Sequence, residues 1–266
     1  RYWVYEHRIT LSHAHPVTLL ALTEMLNAVL PALTKMTMAL AVGHALAAAC
    51  YWWLLQTPES TVFMLLVSSS ALIVGLALLA ISAGTALHWQ HDGTRLTQAL
   101  RRSVTVLPAF SLALLLLALL ILLTRYGDSW WSAHRGEIDA WFIATFGLTD
   151  VEWLHRGVLM LMQFIRWVVG PSMAAGLLAG GAFEDVRGAS RFRWLWRACS
   201  PGRLLFALAV LAVLVWLPWR AIEWRPGGLP PNWIELAFIG TKLTLFYLLA
   251  CAAWALLLLR AARAPI

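Results

Sequence analysis

Long apolar runs, separated by short polar segments, are the main feature of the hydropathy pattern of this chain. A run of about 20 apolar residues is long enough to cross the hydrocarbon core of a bilayer as a helix. The pattern therefore predicts an all-α integral membrane protein, with residues 1–266 forming a single membrane domain. Six transmembrane helices are predicted, over residues 32–55, 61–88, 106–123, 158–183, 204–219 and 234–259.

Two basic amphipathic stretches join pairs of predicted spans. Residues 186–203 contain five arginines, and their apolar residues recur at the spacing of one helical face. Residues 92–103 form a similar stretch between the second and third spans. Both stretches are predicted to be short amphipathic helices that lie on the membrane surface.

These predicted surface helices have two interpretations. Positively charged loops are ordinary determinants of membrane topology. Alternatively, the helices form a docking face for anionic lipid or a partner protein, with two tryptophans anchored at the level of the lipid headgroups. The docking hypothesis assigns this face to Arg101, Arg102, Arg191, Arg193, Arg197, Trp194 and Trp196.

Prolines and polar clusters refine the predicted boundaries. Residues 15–30 are expected to form a separate interfacial or half-buried helix, because Pro31 precedes the first span. Residues 125–152 hold several acids and are expected to form the longest connection, within which residues 140–146 dip into the interface. In the fourth span, Pro171 predicts a kink.

The charge distribution predicts the orientation of the chain. Only 12% of the residues are charged, against about a quarter in a soluble domain, and the net charge is +7. The arginines cluster in alternate loops, on the side that six spans assign to both termini, and most acids lie in the opposite loops. This asymmetry predicts a bacterial inner-membrane protein with both termini in the cytoplasm. Since topology and anionic lipid account for the positive charge, no nucleic-acid partner is expected.

Arg166 and Lys242 are two cations inside predicted spans, where an ionisable residue is costly and usually functional or paired. Each lies eight residues from the outer end of its helix, about 12 Å deep at 1.5 Å per residue. We expect no buried acid within the spans, so the counter-charge would come from a lipid phosphate or from a glutamate at the outer rim. One hypothesis is an outward-facing pocket for an anionic lipid headgroup or substrate. The alternative is that both side chains snorkel to the interface. The rim glutamates are Glu152, Glu223 and Glu235.

The chain aligns with itself at a shift of 95 residues. This shift pairs Gly75 with Gly170 and Arg102 with Arg197, and each copy combines a span, a basic helix and a proline-led span. A third copy would be split between the two ends of the chain. Three such hairpins would pack around a pseudo-threefold axis. The alternative is that any membrane protein with basic loops aligns with itself to this degree.

The residues that recur are a basic, amphipathic helix followed by a proline-led span, at Leu96 to Pro108 and less closely at Phe192 to Pro201. This pattern resembles the six-span bacterial membrane domain attached to some glycerophosphodiester phosphodiesterases, and its stand-alone relatives. The resemblance covers most of the chain at the level of residue classes. It implies a membrane scaffold and transfers no catalytic residue.

No catalytic motif is present in the sequence: there is no His-Glu-x-x-His, Gly-x-Ser-x-Gly or P-loop pattern. His44 and His88 lie at different depths in their predicted spans and form a poor haem-ligand pair, so neither a metal nor a cofactor is predicted. We therefore expect a non-enzymatic scaffold or subunit of a membrane assembly that binds anionic lipid. Its partners would be membrane lipid and either another membrane protein or further copies of itself. The alternative is a small transporter or lipid-handling protein that uses a cationic pocket at Arg166 and Lys242.

Overall fold

A computed structural model describes the fold of residues 19–57, 61–90, 94–147, 150–183, 190–224 and 233–263, with side chains described from residue 29 and not for residues 190–193. The described residues form helices and contain no strand. Six helical segments are long and apolar enough to cross a membrane, so the chain is an all-α, multi-pass membrane protein as predicted. These segments are Val29–Gln56, Val62–Trp89, Leu96–Ala133, Glu152–Phe183, Pro201–Glu223 and Trp233–Ala262.

Within these segments the helices are interrupted at three places. A 3-10 turn covers Val104–Val106, and π-helical turns cover Ile165–Val169 and Ala212–Trp216. The α-helices are α1 (Leu19–Gln56), α2 (Val62–Trp89), α3 (Leu96–Ser103), α4 (Leu107–Ala133), α5 (Arg135–Phe146), α6 (Glu152–Phe164), α7 (Gly170–Phe183), α8 (Ser190–Ala198), α9 (Pro201–Leu211), α10 (Leu217–Glu223) and α11 (Trp233–Ala262).

Two of the predicted boundaries are wrong. Helix α1 runs through Pro31 without a break, so no separate helix ends before the first span. A proline is tolerated inside a membrane helix because neighbouring groups satisfy the backbone group that it frees. Helix α4 ends at Ala133 rather than at residue 123, and α5 follows it after a single residue. Most of the predicted connection 125–152 is therefore helical, and the segment 140–146 belongs to α5.

Both π-helical turns end two residues before a proline, at Pro171 and at Pro218. Proline lacks the N–H that would bond four residues back, and its ring crowds the carbonyl there. The helical hydrogen bonding is therefore disturbed on the N-terminal side of each proline, which is where both π turns lie. The kink predicted near Pro171 therefore falls beside an irregular turn of the helix, and Pro218 follows a turn of the same kind.

Three helices form the centre of the bundle. Helices α2, α7 and α11 contact one another and bury many small side chains. Helices α4, α9 and α1 pack outside them. Each outer helix contacts two inner helices: α4 contacts α2 and α7, α9 contacts α7 and α11, and α1 contacts α11 and α2. The largest fully buried apolar side chains are Met36, Leu40, Leu87, Leu178, Leu258 and Val106.

The two basic helices pack against the protein. Helix α3 lies against the end of α2, where a Cβ at Gly84 would be 2.8 Å from the Cα of Ser103. Helix α8 runs back along α7, with Trp194 against Gly180 and Ala198 against Gly176. Part of the apolar side of each helix therefore packs on protein, through Ala99 of α3 and through Trp194 and Ala198 of α8, whereas Leu96, Leu100 and Trp196 are exposed.

Candidate functional site

The described ion pairs lie at one end of the bundle. Successive spans reverse direction, so α5 and the adjoining ends of α4, α6, α10 and α11 form one end, called here the acidic end. Helices α3 and α8, the start of α9 and the end of α11 form the other, the basic end. The ion pairs of the acidic end are Arg135–Glu152, Arg156–Glu152, His155–Asp139, Arg166–Asp128 and Arg220–Glu223.

Arg166 forms an ion pair within the protein. Its Nη2 is 2.6 Å from Oδ2 of Asp128, and its Nε donates to the hydroxyl of Thr124 at 3.0 Å. Thr124 and Asp128 are one turn apart on α4, so they face Arg166 together. The side chains of Arg166 and Asp128 are only 12% and 26% exposed. The expected partners, a rim glutamate or a lipid phosphate, are wrong for Arg166, because α4 extends far enough to place an acid inside its span.

Lys242 binds the end of a neighbouring helix. Its Nζ donates to the carbonyl oxygens of Ile222, at 3.2 Å, and Trp224. These carbonyls belong to the C-terminal end of α10, where a cation is favoured by the helix dipole. The same ammonium lies 4.7 Å from the ring centre of Phe238 and 5.6 Å from that of Trp224. Lys242 therefore caps α10, and within the described residues it shares no partner with Arg166.

The acidic end also contains a histidine that the sequence analysis did not single out. His155 is 3% exposed, accepts a hydrogen bond at Nδ1 from Nε1–H of Trp131 (2.9 Å), and contacts Oδ1 of Asp139 through Nε2 (2.5 Å). An indole nitrogen only donates, so Nδ1 is unprotonated and Nε2 carries the proton. Because both ring nitrogens are occupied, His155 has no free nitrogen to bind a metal or to activate a nucleophile.

A periodic signal for this cluster is present in the sequence. Asp128, Trp131, Arg135 and Asp139 are spaced by three or four residues, which is the spacing of one helical face. A third span that ends at residue 123 leaves these residues in a predicted loop, so the helical face is not recognised.

The basic end contains a small cleft, open to solvent, between α7, α8, α9 and α11. Arg203 lines this cleft, and its Nη1 is buried without a hydrogen-bond partner in the part of the chain that the structure describes. Arg260 also lines it, with its guanidinium carbon 5.7 Å from the ring centre of Phe206. Arg197 and Arg260 are close enough to interact electrostatically with Arg203. No acid of the described residues forms an ion pair with these three arginines.

A neighbouring thiol adds no negative charge to this cluster. Cys199 lies between α8 and α9, and burial raises the pKa of its thiol above the ordinary value. The thiol therefore stays neutral near pH 7. The arginines of the cleft have no counter-charge from this side.

The predicted docking residues fall into different environments. Arg101 and Arg102 are exposed on α3, and Arg197 is half-buried on α8. Trp196 is 82% exposed, whereas Trp194 is 3% exposed and packs against Gly180. The predicted headgroup anchor at Trp194 is therefore wrong, because the glycine leaves space for the indole against α7. The side chains of Arg191 and Arg193 lie outside the described residues.

The histidines and acids offer no grouped metal ligands where the structure is described. No three His, Cys, Asp or Glu side chains lie close enough together there to hold an ion. Nδ1 of His44 is 2.7 Å from the carbonyl oxygen of Leu40, to which it donates within α1.

Comparisons with protein-family models, with curated proteins and with solved structures give no match to this chain. The candidate sites are therefore argued from their own geometry and charge.

Proposed function

We propose that this chain is a non-enzymatic scaffold or subunit of a membrane assembly, and that its basic end binds anionic lipid. The observation that carries the proposal is the difference between the two ends. Arg166 and Lys242 of the acidic end are bound to groups of the protein itself. The described arginines of the basic end form no ion pair with the described acids, which supports the binding of anions from outside at this end. These arginines are Arg95, Arg101, Arg102, Arg197, Arg203, Arg260 and Arg263.

The orientation in the membrane follows from the same charges. Loops rich in arginine are retained in the cytoplasm, where anionic lipid also gives the membrane surface a negative potential. We propose that the basic end and both termini are cytoplasmic, in the inner membrane of a bacterium. This places the basic helices α3 and α8 at the leaflet surface that attracts them.

A scaffold is favoured over an enzyme by the chemistry of the acidic end. His155 and Asp139 are the described pair that most resembles a catalytic dyad, and a general base needs a free nitrogen within reach of its substrate. Trp131 occupies Nδ1 and Asp139 occupies Nε2. The cluster instead fastens α6 to α4 and α5.

We also propose that the bundle consists of three related units, in keeping with the resemblance to six-span scaffold domains. The units are α2 to α4, α7 to α9, and α11 with α1. In each case the outer helix of one unit contacts the inner helix of the next. The shift of 95 residues pairs Ala99 with Trp194 and Ser103 with Ala198, all of which are buried. Such cyclic packing would form a closed scaffold.

Extraction of native membranes into polymer-bounded lipid discs tests the proposal. We expect the chain to purify with a second polypeptide, or with further copies of itself, in a fixed ratio. The discs should also be enriched in anionic phospholipid relative to the bulk membrane. A single chain surrounded by lipid of bulk composition would contradict both parts of the proposal.

Transport is the second candidate, and the π-helical turns before Pro171 and Pro218 favour it. Irregular helices at membrane depth often form transport sites. A transporter would need these turns to change between two states. Spin labels placed on either side of each turn should then report two distance populations in lipid discs, whereas a scaffold should give one.

A further inference from the structure

We infer that the cleft at the basic end is a binding site for a phosphate group, held by Arg203 and Arg260 with Arg197 beside them. The inference rests on the proposed function and deepens it, since it replaces a general affinity for anionic lipid by one defined site. The cleft lies between α7, α8, α9 and α11 and includes residues from all four helices.

The guanidinium of Arg203 is incompletely hydrogen-bonded within the described residues. Its Nη1 is shielded from solvent and has no hydrogen-bond partner among the described residues. A buried donor of a charged group is costly when it is left unpaired, and such groups are normally bound to an anion, a polar group or water. Arg203 also lines a cleft that opens to solvent, so a group that enters the cleft meets this side chain.

Positive charge accumulates around Arg203. Arg197 and Arg260 both act electrostatically on Arg203, and neither forms an ion pair with a described acid. Cations this close repel one another, and an anion bound between them offsets the repulsion. Helix α9 begins at Pro201, between Ala198 and Arg203 of the cleft wall, and its N-terminal dipole adds positive potential.

The guanidinium groups of Arg203 and Arg260 suit the geometry of a phosphate group. A guanidinium presents its donors as a planar fork that fits two oxygens of a phosphate or carboxylate. Phosphate is the more abundant of the two at a membrane surface, because each anionic phospholipid carries it in its headgroup. Arg260 is exposed at the end of α11, so a headgroup or a free phosphate ion can reach the cleft from the aqueous side.

Native mass spectrometry of the purified full chain in detergent tests the site. The probes are phosphatidylglycerol, phosphatidylcholine and inorganic phosphate, each titrated separately. We expect one tightly bound phosphatidylglycerol, with affinity at least tenfold weaker in Arg203→Gln and in Arg260→Gln. Arg220→Gln is the matched control, because it removes an exposed arginine of the acidic end, and it should bind as the wild type does.

The arms of the experiment separate the sources of phosphate. Tight binding of phosphatidylglycerol alone, lost in both cleft variants, identifies a lipid headgroup. Inorganic phosphate that binds with the same dependence on Arg203 identifies a free ion. Equal binding of either probe by the wild type and both cleft variants overturns the site. Arg260 is exposed, so its variant keeps the test valid if Arg203→Gln fails to fold.

A double variant on α3, Arg101→Gln with Arg102→Gln, separates this site from the proposed function. If Arg101→Gln with Arg102→Gln loses phosphatidylglycerol while the cleft variants retain it, the cleft is wrong and a lipid-binding basic end stands. If the wild type binds none of the three probes, the cleft and the lipid-binding part of the proposed function both fail.

Discussion

At the scale of single residues, the cations of this protein divide into those with partners in the protein and those without. Arg166 bonds to Asp128 and Thr124, and Lys242 bonds to two carbonyl oxygens. In the described cleft at the opposite end, Arg203 has a buried nitrogen without a partner. The depth of a charge along a span, which is all that the sequence gives, does not distinguish these cases.

Replacing Asp128 by Asn should destabilise the protein. The substitution leaves Arg166 largely buried without its counter-charge, and breaking such a charged hydrogen bond costs about 2–3 kcal/mol. The free energy of unfolding can be measured by titrating the protein from bicelles into SDS. Glu223→Gln is the matched control, since Glu223 and Arg220 are both 61% exposed, and it should cost about 0–1 kcal/mol. Equal effects of the two substitutions would contradict the structural role of Asp128.

Replacing Trp131 by Phe should also weaken the acidic end. It leaves Nδ1 of the buried His155 without a donor, at a cost of about 1–2 kcal/mol in the same unfolding assay. Trp130→Phe is a suitable control, because Trp130 is half-exposed and packs only on the neighbouring His134 among the described rings. The role assigned to Trp131 would be wrong if the control lost as much stability.

At the scale of helices, small residues determine where the basic helices dock. Gly84 receives Ser103 of α3, and Gly176 and Gly180 receive Ala198 and Trp194 of α8. Small residues allow helices to approach closely, and here the short basic helices use this space as well as the spans.

Substituting alanine at either docking glycine should cost stability. A Cβ at Gly84 would lie 2.8–2.9 Å from backbone and side-chain atoms of Ser103, and one at Gly176 would lie 2.9 Å from Cβ of Ala198. Overpacking of this kind costs about 1–3 kcal/mol. Gly157→Ala meets nothing within 4 Å and should raise stability by about 0.5–1 kcal/mol through helix propensity. Thermal unfolding in detergent distinguishes these signs, and a stabilised Gly84→Ala variant would contradict the docked position of α3.

At the scale of the whole molecule, the six-span architecture was predictable because apolar runs of this length have few alternatives. The helix boundaries were less predictable. Asp128 looked like a loop residue because its partner, Arg166, is 38 positions away. The continuity of α1 through Pro31 was also not predictable, because a proline usually ends or kinks a helix. The cleft was also out of reach, because Arg203 and Arg260, which line it, come from different helices.

The proposed orientation predicts which end is accessible from outside the cell. Cysteines introduced at Ser132 and at Gln98 report on the acidic and basic ends, since both positions are exposed. In a background with the native cysteines replaced by alanine, an impermeant maleimide should label Ser132→Cys in intact spheroplasts, and Gln98→Cys only after permeabilisation. The reverse pattern would place the basic end outside.

The central claim is that cations at the acidic end stabilise the fold while arginines at the basic end bind lipid. Native mass spectrometry with phosphatidylglycerol tests this claim most directly, through two matched double variants. Arg203→Gln with Arg260→Gln should lose the bound lipid, whereas Arg166→Gln with Asp128→Asn, which removes both charges of one ion pair, should retain it. Loss of lipid in the second variant and its retention in the first would contradict the account.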